Sequence, residues 1–357
     1  MIHRYRARPA AWAACSLSIL GLLAALTFTP AVSAQPVRLA MDGFGGSVEI
    51  EIRGLAEERA RALAERALAE IHQVVQLTDS SGPIVPALNA LAGQPARTVD
   101  PRLALALERA QGFCGWSNGA YGPLGGRLYT LWDAGVDALA STDPDTLLAA
   151  AQSSACTGLQ IRSEATAPGA PGPLRATVQL ARDAQVDLRG IAQGLAVDRA
   201  MAVLREAGVT NAWVGAPHVC RALGLGPEGL GWLAVLPSVG EMAEAAEPVW
   251  LRDQALAFTP VDGRPWRRVH QRTGRPTPGV AMVVTVTELA MDAQGLASSL
   301  QALGLQQGSL RLGQLKPKPA VLWLLGDGTG MPVTSHYQWA ELTHQVETAG
   351  PESLDIR

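Results

Sequence analysis

The stretch from Asp187 to Ala200 combines a carboxylate, an arginine and two glycines with the start of an apolar helix. Its residue order predicts a strand, a turn at Gly190 and then a helix. Backbone N–H groups at such a helix start can bind an anionic phosphate, because they have no acceptor within the helix. The same junction also occurs as plain packing, so by itself it does not distinguish a phosphate site from a structural turn.

A second candidate for phosphate binding is a run of basic side chains between residues 264 and 275. Arginine binds phosphate through two parallel hydrogen bonds and keeps its charge when it is partly buried. The cluster could therefore supply positive charge beside a phosphate, or it could be a solvated basic loop. It consists of Arg264, Arg267, Arg268, Arg272 and Arg275.

Histidine and cysteine spacing gives no support for a zinc site. His218 and His270 are the histidines that could suggest one, but no H-x-x-x-H, H-x-H or C-x-x-C pattern occurs. The three cysteines beyond the N-terminal segment are Cys114, Cys156 and Cys220. An odd number in an oxidising compartment allows at most one internal disulfide and leaves one thiol.

Apolar spacing predicts the helices that position these residues. The segment from Leu55 to Gln76 has one apolar face with helical spacing and an opposite charged face. Pro101 begins a second helix near Leu103 to Gln111, and Asp143-Pro144 begins a third that extends through Ala151. Two further helices run from Ile191 to Glu206, before Gly208, and from Ala290 to Leu303, before Gly304.

The strands are predicted from shorter apolar segments between turn residues. A loop is predicted over residues 163–176. Long helices with scattered strands that do not alternate strictly favour an α+β fold over a doubly wound sheet. The predicted strands are Gly46 to Ile52, Thr177 to Leu188, Asn211 to Gly215, Trp232 to Leu236, Ala281 to Thr287 and Ala320 to Leu325.

The first 34 residues are predicted to be an export signal. Three arginines at positions 4, 6 and 8 precede an apolar stretch from Ala10 to Pro30, and Val32-Ser33-Ala34 has the small residues of a cleavage site. The mature chain would then be residues 35–357, beginning at Gln35 in the periplasm. The alternative is an uncleaved segment that holds the protein at the inner membrane. The formal net charge of -3 gives no indication of a nucleic-acid partner.

Residues Asp187-Leu188-Arg189-Gly190-Ile191-Ala192-Gln193-Gly194 resemble the ApbE-family signature D-L-G-G-I-A-K-G, and the similarity continues to Arg199. Other segments resemble that family in the same order. They are Phe44 to Gly54, Leu88-Asn89-Ala90, Ser117 to Leu124, Asp262-Gly263 with Arg272 to Pro276, and Met291 to Gly304. Together they span nearly the whole mature chain, and they identify it as a member of the family.

The resemblance implies an α+β fold related to the T-fold, with mixed and antiparallel sheets packed against long helices. It also implies the activity of an FAD:protein FMN transferase. Such proteins bind FAD with a divalent cation, usually Mg2+, move FMN onto a threonine of a partner flavoprotein, and release AMP. The expected partners are thus a flavin nucleotide and a periplasmic flavoprotein acceptor. Carried over by position, the flavin-binding residues are Phe44, Ala120, Tyr121, Gly122, Asp187, Gln193 and Arg268.

The same resemblance places the metal at Gly190, Gln294 and Ser298. Gln294 stands at the position of an aspartate, and Gln193 stands at the position of a lysine. Because Mg2+ prefers sites with one or two carboxylates, we expect weak Mg2+ binding and little transfer, with Gln294→Asp restoring the metal. Residues four apart share a helix face, so Gln294 and Ser298 should point the same way, and Asp292 should face elsewhere.

The catalytic residues are not predicted. Turn and apolar positions of the family pattern are kept, whereas several polar positions differ. Three functions are therefore compatible with the sequence: an active FMN transferase, an inactive protein of the same fold that binds FAD or a partner, and a scaffold that binds no flavin.

Overall fold

The computed structural model describes residues 35–135, 142–164, 175–236, 249–261, 268–326, 333–339 and 354–356. Within these ranges, eight strands form the main sheet. In their order across the sheet they are β1 (Val37–Gly43), β2 (Gly46–Ile52), β6 (Ala212–Ala216), β7 (Val219–Leu223), β10 (Ala255–Phe258), β13 (Val280–Thr287), β14 (Ala320–Leu325) and β15 (Val333–Tyr337). All of its pairings are antiparallel.

The remaining described strands are β3 (Arg97–Val99), β4 (Leu159–Ser163), β5 (Ala176–Leu180), β8 (Trp232–Ala234), β9 (Val249–Leu251), β11 (Val269–His270) and β12 (Arg275–Pro276). They form three small antiparallel sheets, ordered β3-β5-β4, β8-β9 and β11-β12. The described helices are α1 (Glu57–Thr78), α2 (Ile84–Asn89), α3 (Pro101–Trp116), α4 (Gly126–Asp133), α5 (Pro144–Ser153), α6 (Ala192–Glu206) and α7 (Ala290–Leu312).

Both faces of the main sheet are covered by apolar side chains. In β13, Val283 packs into the core that also contains α1, α6 and α7, whereas Val284 packs into a second core with Trp232 of β8. Successive strand residues point to opposite faces, so a strand buried on both sides is apolar throughout. This explains why β14 is a continuous apolar run and why β13 is apolar apart from Thr285 and Thr287. The arrangement confirms the predicted α+β class.

Most predicted helices and strands are present, with ends shifted by a few residues. The predicted strand from Thr177 to Leu188 is wrong beyond Leu180, where β5 ends. Asp183 has a φ of 66°, and the chain continues as an irregular segment. Ala184, Val186 and Leu188 are nevertheless buried. Their alternation with polar residues reflects packing without a strand ladder. The predicted loop over residues 163–176 lies largely outside the described residues.

Helix α7 extends beyond the predicted end. Gly304 has a non-helical conformation, with a φ of 74°, and a further helical segment continues to Leu312. The glycine therefore breaks the helix at the predicted position without ending it. Only glycine adopts this backbone conformation readily, because it lacks a Cβ atom.

Candidate functional site

An open cleft lies where the start of α6 meets the middle of α7. Its empty space is about 570 Å³, including open solvent. The described lining residues come from segments that are distant in sequence. They are Tyr121, Tyr129, Arg189, Gly190, Gln193, His218, Phe258, Thr259, Pro260, Val269, Gln294, Ala297, Ser298 and Ala302.

The turn before α6 contains a buried ion pair. The Asp187 carboxylate accepts hydrogen bonds from the Arg189 backbone N–H at 2.9 Å and from Arg189 Nε at 2.8 Å. Arg189 also pairs with Asp133 at 2.8 Å, and its guanidinium lies over the Tyr129 ring. Burial raises the pKa of Asp187, and the charge of Arg189 opposes that shift. The pair therefore holds a cationic side chain in the cleft wall.

The start of α6 offers a phosphate fewer free backbone N–H groups than the sequence suggested. Ile191 N–H and Ala192 N–H both donate to the Leu188 carbonyl, at 3.0 and 2.9 Å. Gly194 N–H donates to Gln294 Oε1 at 2.8 Å. Three of the first N–H groups of the helix are thus already satisfied by the protein itself. A phosphate at this position must be held mainly by side chains.

The three positions expected to bind metal are brought together by the structure. Ser298 Oγ donates to the Gly190 carbonyl at 3.0 Å. The Gln294 amide donates from Nε2 to the Arg189 carbonyl at 3.2 Å, while its Oε1 accepts from Gly194. Gln294 and Ser298 therefore share the α7 face that meets the α6 turn, as their spacing predicted.

A hard divalent cation does not fit this donor set. Both ends of the Gln294 amide are engaged, and Ser298 occupies the Gly190 carbonyl. Among the described lining residues none is a carboxylate. Asp292 faces away from the cleft, as expected, because it pairs with Arg109 and accepts from the Leu354 N–H at 2.7 Å. Mg2+ would have to displace several existing hydrogen bonds and would gain only neutral oxygens.

Gln193 holds His218 in one orientation. The His218 backbone N–H donates to Gln193 Oε1 at 3.1 Å, which fixes the direction of the amide. Gln193 Nε2 then faces His218 Nδ1 at 3.3 Å. Because an amide nitrogen only donates, Nδ1 accepts, and the neutral ring carries its proton on Nε2. The ring also packs edge-on against Phe258.

Tyr121 closes the cleft over Gly190. A Cβ atom at Gly190 would lie 2.5 Å from Tyr121 Cε2, 2.7 Å from its hydroxyl and 2.9 Å from Ser298 Oγ, so no side chain fits there. Tyr121 is 4% exposed, and its hydroxyl is buried without a hydrogen-bond partner among the described residues. Burial raises the pKa of this hydroxyl well above its usual value. The Tyr121 hydroxyl is therefore protonated and can donate a hydrogen bond to a bound ligand.

A disulfide supports Tyr121 from behind. Cys114 and Cys156 are bonded, with their Cα atoms 5.8 Å apart, and a Cβ atom at Gly122 would lie 2.6 Å from Cys114 Sγ. The third described cysteine, Cys220, is buried as a thiol, and burial raises its pKa to about 12. This matches the sequence limit of one internal disulfide and one remaining thiol.

The other predicted flavin-binding residues do not line the described cleft. Ala120 and Gly122 flank Tyr121, and their carbonyls accept hydrogen bonds from Gln271. Arg268 lies one residue before the lining residue Val269, and its carbonyl accepts from the Thr277 N–H at 2.8 Å. These three residues support the cleft wall and do not contact the cleft space.

Phe44 lies at the tip of the β1–β2 hairpin, in a two-residue turn with Gly45. Both turn residues have positive φ, 54° and 77°, as a type I′ hairpin turn requires. The neighbouring Gly46 lies against Pro217, at the tip of the β6–β7 hairpin that carries His218. Phe44 is thus at the same end of the sheet as the cleft, outside its described lining.

Several lining residues were missed by the sequence analysis. Tyr129, Phe258 and Thr259 have no motif of their own and reach the cleft through the fold. Arg189 lies inside the recognised stretch, but no separate prediction was based on its charge. The sequence analysis offered the basic cluster at residues 264–275 as a possible source of positive charge beside a phosphate. Two of its members, Arg264 and Arg267, lie outside the described residues.

Comparisons with known proteins agree with this architecture. The sequence model of the ApbE family matches residues 44–323. A curated FAD:protein FMN transferase from Treponema pallidum (strain Nichols) is 34% identical over 182 residues, which cover 47% of this chain and 49% of that relative. The chain thus aligns with about half the length of this curated relative.

Solved structures are similar over most of the chain. The apo flavinyl transferase ApbE from Pseudomonas stutzeri has a TM-score of 0.71 at 19% identity and covers 88% of this chain and 99% of its own. The ApbE protein from Thermotoga maritima has a TM-score of 0.70 at 21% identity, covering 87% and 100%. The flavin transferase ApbE from Vibrio cholerae has a TM-score of 0.67 at 21% identity, covering 85% and 97%. At these identities the likeness establishes the fold.

Proposed function

This chain belongs to the ApbE family, and from that membership we propose that it is a flavin transferase that binds FAD in the cleft between α6 and α7. It moves FMN from FAD to a threonine of a partner flavoprotein. The relative from Treponema pallidum is an FAD:protein FMN transferase. The observation that carries the proposal is the cleft at Gly190, where the family signature leaves room for no side chain.

The reaction is a phosphoryl-type transfer. The threonine oxygen forms a bond to the FMN phosphorus, the diphosphate bond to AMP breaks, and the threonine proton is released. Catalysis of such a step depends on positioning and on stabilising charge at the phosphates. In this cleft those tasks fall to the cation of Arg189 and to the hydroxyl and ring donors of Tyr121 and His218. By the resemblance, Gln294 stands where the family has a metal-binding aspartate, and we therefore expect a low transfer rate.

Export of the protein is part of the proposal. The N-terminal segment has the composition of a signal peptide, and the Cys114–Cys156 disulfide suits an oxidising compartment. No helix among the described residues is long and apolar enough to cross a membrane. We expect a periplasmic protein that begins at Gln35, acting on a periplasmic acceptor. N-terminal sequencing of the exported form tests this, and a chain that still begins at Met1 contradicts it.

The activity is tested by mass spectrometry. The purified protein is incubated with FAD and a recombinant flavoprotein domain that carries an acceptor threonine, in parallel with Mg2+ and with EDTA. The expected product is the acceptor with one covalent FMN, together with free AMP. An acceptor with alanine in place of that threonine should stay unmodified. Absence of product in both buffers contradicts the proposal.

A matched pair of glycine variants tests the placement of the site. In Gly190→Ala the new methyl group displaces Tyr121 or Ser298, and FAD binding and transfer should be lost. Gly115→Ala is the control, because a Cβ atom at Gly115 meets nothing within 4 Å. Equal FAD affinity in the two folded variants would show that FAD binds elsewhere.

A further inference from the structure

The described part of the cleft presents hydrogen-bond donors and one cation where the resemblance places a metal. We propose that this protein holds the diphosphate of its dinucleotide without a divalent cation, and that the Tyr121 hydroxyl donates a hydrogen bond to a phosphate oxygen. This inference rests on the proposed function, because it concerns the same cleft. It assigns the charge stabilisation to side chains of this chain.

The first support is the unsatisfied hydroxyl of Tyr121. A buried hydroxyl without a partner is unfavourable, and native proteins rarely keep one without a ligand or water to bind. This hydroxyl lies directly over Gly190 and lines the cleft. A phosphate oxygen only accepts hydrogen bonds, so it is a suitable partner for this donor.

The second support is the chemistry of the neighbouring groups. Arg189 is the one permanently charged side chain among the described lining residues, and Asp187 and Asp133 hold it in place. His218 presents a ring whose neutral form carries its proton on Nε2, because Gln193 donates to Nδ1. These groups and Tyr121 are donors, and an anion is the complementary ligand.

The third support is the state of the metal-binding positions. Gln294 joins the two helices through both ends of its amide, which removes it from any coordination shell. The same contact occupies Gly194 N–H, so this backbone donor at the start of α6 is not available to a phosphate. The hydrogen bonds that exclude Mg2+ therefore also leave the diphosphate to side chains such as Arg189 and Tyr121.

The test measures ligand affinity by isothermal titration calorimetry, in EDTA and in Mg2+, with FAD, ADP and riboflavin as probes. The natural protein should bind FAD with the same affinity in EDTA and in Mg2+, and the affinity for ADP should likewise not depend on the buffer. Tyr121→Phe should weaken FAD and ADP binding by about tenfold, the loss expected for one hydrogen bond to a charged group. Riboflavin has no phosphate, and its affinity should not change.

Two further variants complete the design. Tyr337→Phe removes a hydroxyl from the distant strand β15 and serves as the matched control, with unchanged affinity for every probe. Gln294→Asp introduces the carboxylate that Mg2+ prefers, and FAD should then bind about tenfold more tightly in Mg2+ than in EDTA. Circular dichroism confirms that each variant is folded.

The outcomes separate this inference from the proposed function. The metal-free site is overturned if the natural protein binds FAD only with Mg2+. It is also overturned if the Tyr121 and Tyr337 variants bind FAD with equal affinity. Either result leaves the transfer activity possible. Metal-independent FAD binding without any modified acceptor supports this inference and contradicts the transfer activity. No FAD binding in either buffer overturns both.

Discussion

Among the polar junctions between α6 and α7, those of Asp198 and Gln294 differ in charge. At the first, the Asp198 carboxylate of α6 accepts hydrogen bonds from the N–H groups of Ala290 and Met291, both at 2.9 Å, at the start of α7. It also pairs with Arg221 of β7, whose side chain is 4% exposed. The negative charge is thus neutralised by Arg221 and stabilised by two backbone N–H groups.

The second junction lies one helical turn further along α7 and is neutral. Gln294 links the α6 turn to α7 through an accepted and a donated hydrogen bond, at 2.8 and 3.2 Å. This junction faces the cleft. The difference shows that the protein keeps a charged residue where its own backbone and Arg221 stabilise it. At the second junction a carboxylate would need a bound cation to balance its charge, and the neutral Gln294 amide connects the helices there instead.

The largest expected effect comes from breaking the charged junction. Asp198→Ala removes the cap of α7 and leaves the buried Arg221 guanidinium without its carboxylate, which should lower the free energy of unfolding by about 3–5 kcal/mol. Urea denaturation measures this change. A loss below about 1 kcal/mol would mean that Asp198 contributes no more than an exposed ion pair.

Removing the disulfide behind Tyr121 tests how much this covalent bond contributes to the stability of the fold around the cleft. Replacing Cys114 and Cys156 together with serine opens a loop defined by a sequence separation of 42 residues. The expected loss is roughly 3–4 kcal/mol, because the unfolded chain regains conformational freedom. Denaturation of the natural protein with and without a reductant provides the control. Equal stability in all samples would exclude a stabilising role for the bond.

Breaking the neutral junction should have a smaller effect. Gln294→Ala leaves Gly194 N–H and the Arg189 carbonyl without their present partners, with an expected loss of about 1–2 kcal/mol. The measurement is the same urea denaturation as for Asp198→Ala. If this variant loses as much stability as Asp198→Ala, the difference between the two junctions is not one of charge.

The smallest expected effect is on the pH dependence of stability. Burial raises the folded pKa of Asp187 above its ordinary value of 3.8. Between those two values the folded protein binds more protons than the unfolded chain, so this residue makes stability fall as pH rises through that window. Asp187→Asn should flatten the slope of unfolding free energy in the acid range just above pH 3.8. An unchanged slope would contradict the shift.

The sequence predicted much of the scaffold and part of the cleft. The helix of the signature stretch and the shared face of Gln294 and Ser298 follow from local periodicity, and the structure contains both. Gly304 was predicted to end α7, but a further helical segment continues to Leu312. The strand beyond Leu180 failed because alternating burial occurs there without a neighbouring strand. A pattern in one segment cannot reveal whether a hydrogen-bonding partner lies beside it.

The sequence by itself determined the family, the elements and the identity of the polar groups. Helical and strand spacing act within about twenty residues, and the signature residues can be recognised in order along the chain. Only the tertiary structure decided which of these groups meet. Tyr121, Gly190 and Ser298 are far apart in sequence, and their packing leaves the Tyr121 hydroxyl buried without a described partner. Contacts between distant segments depend on how whole elements pack, so the donor-lined cleft became visible only in the fold.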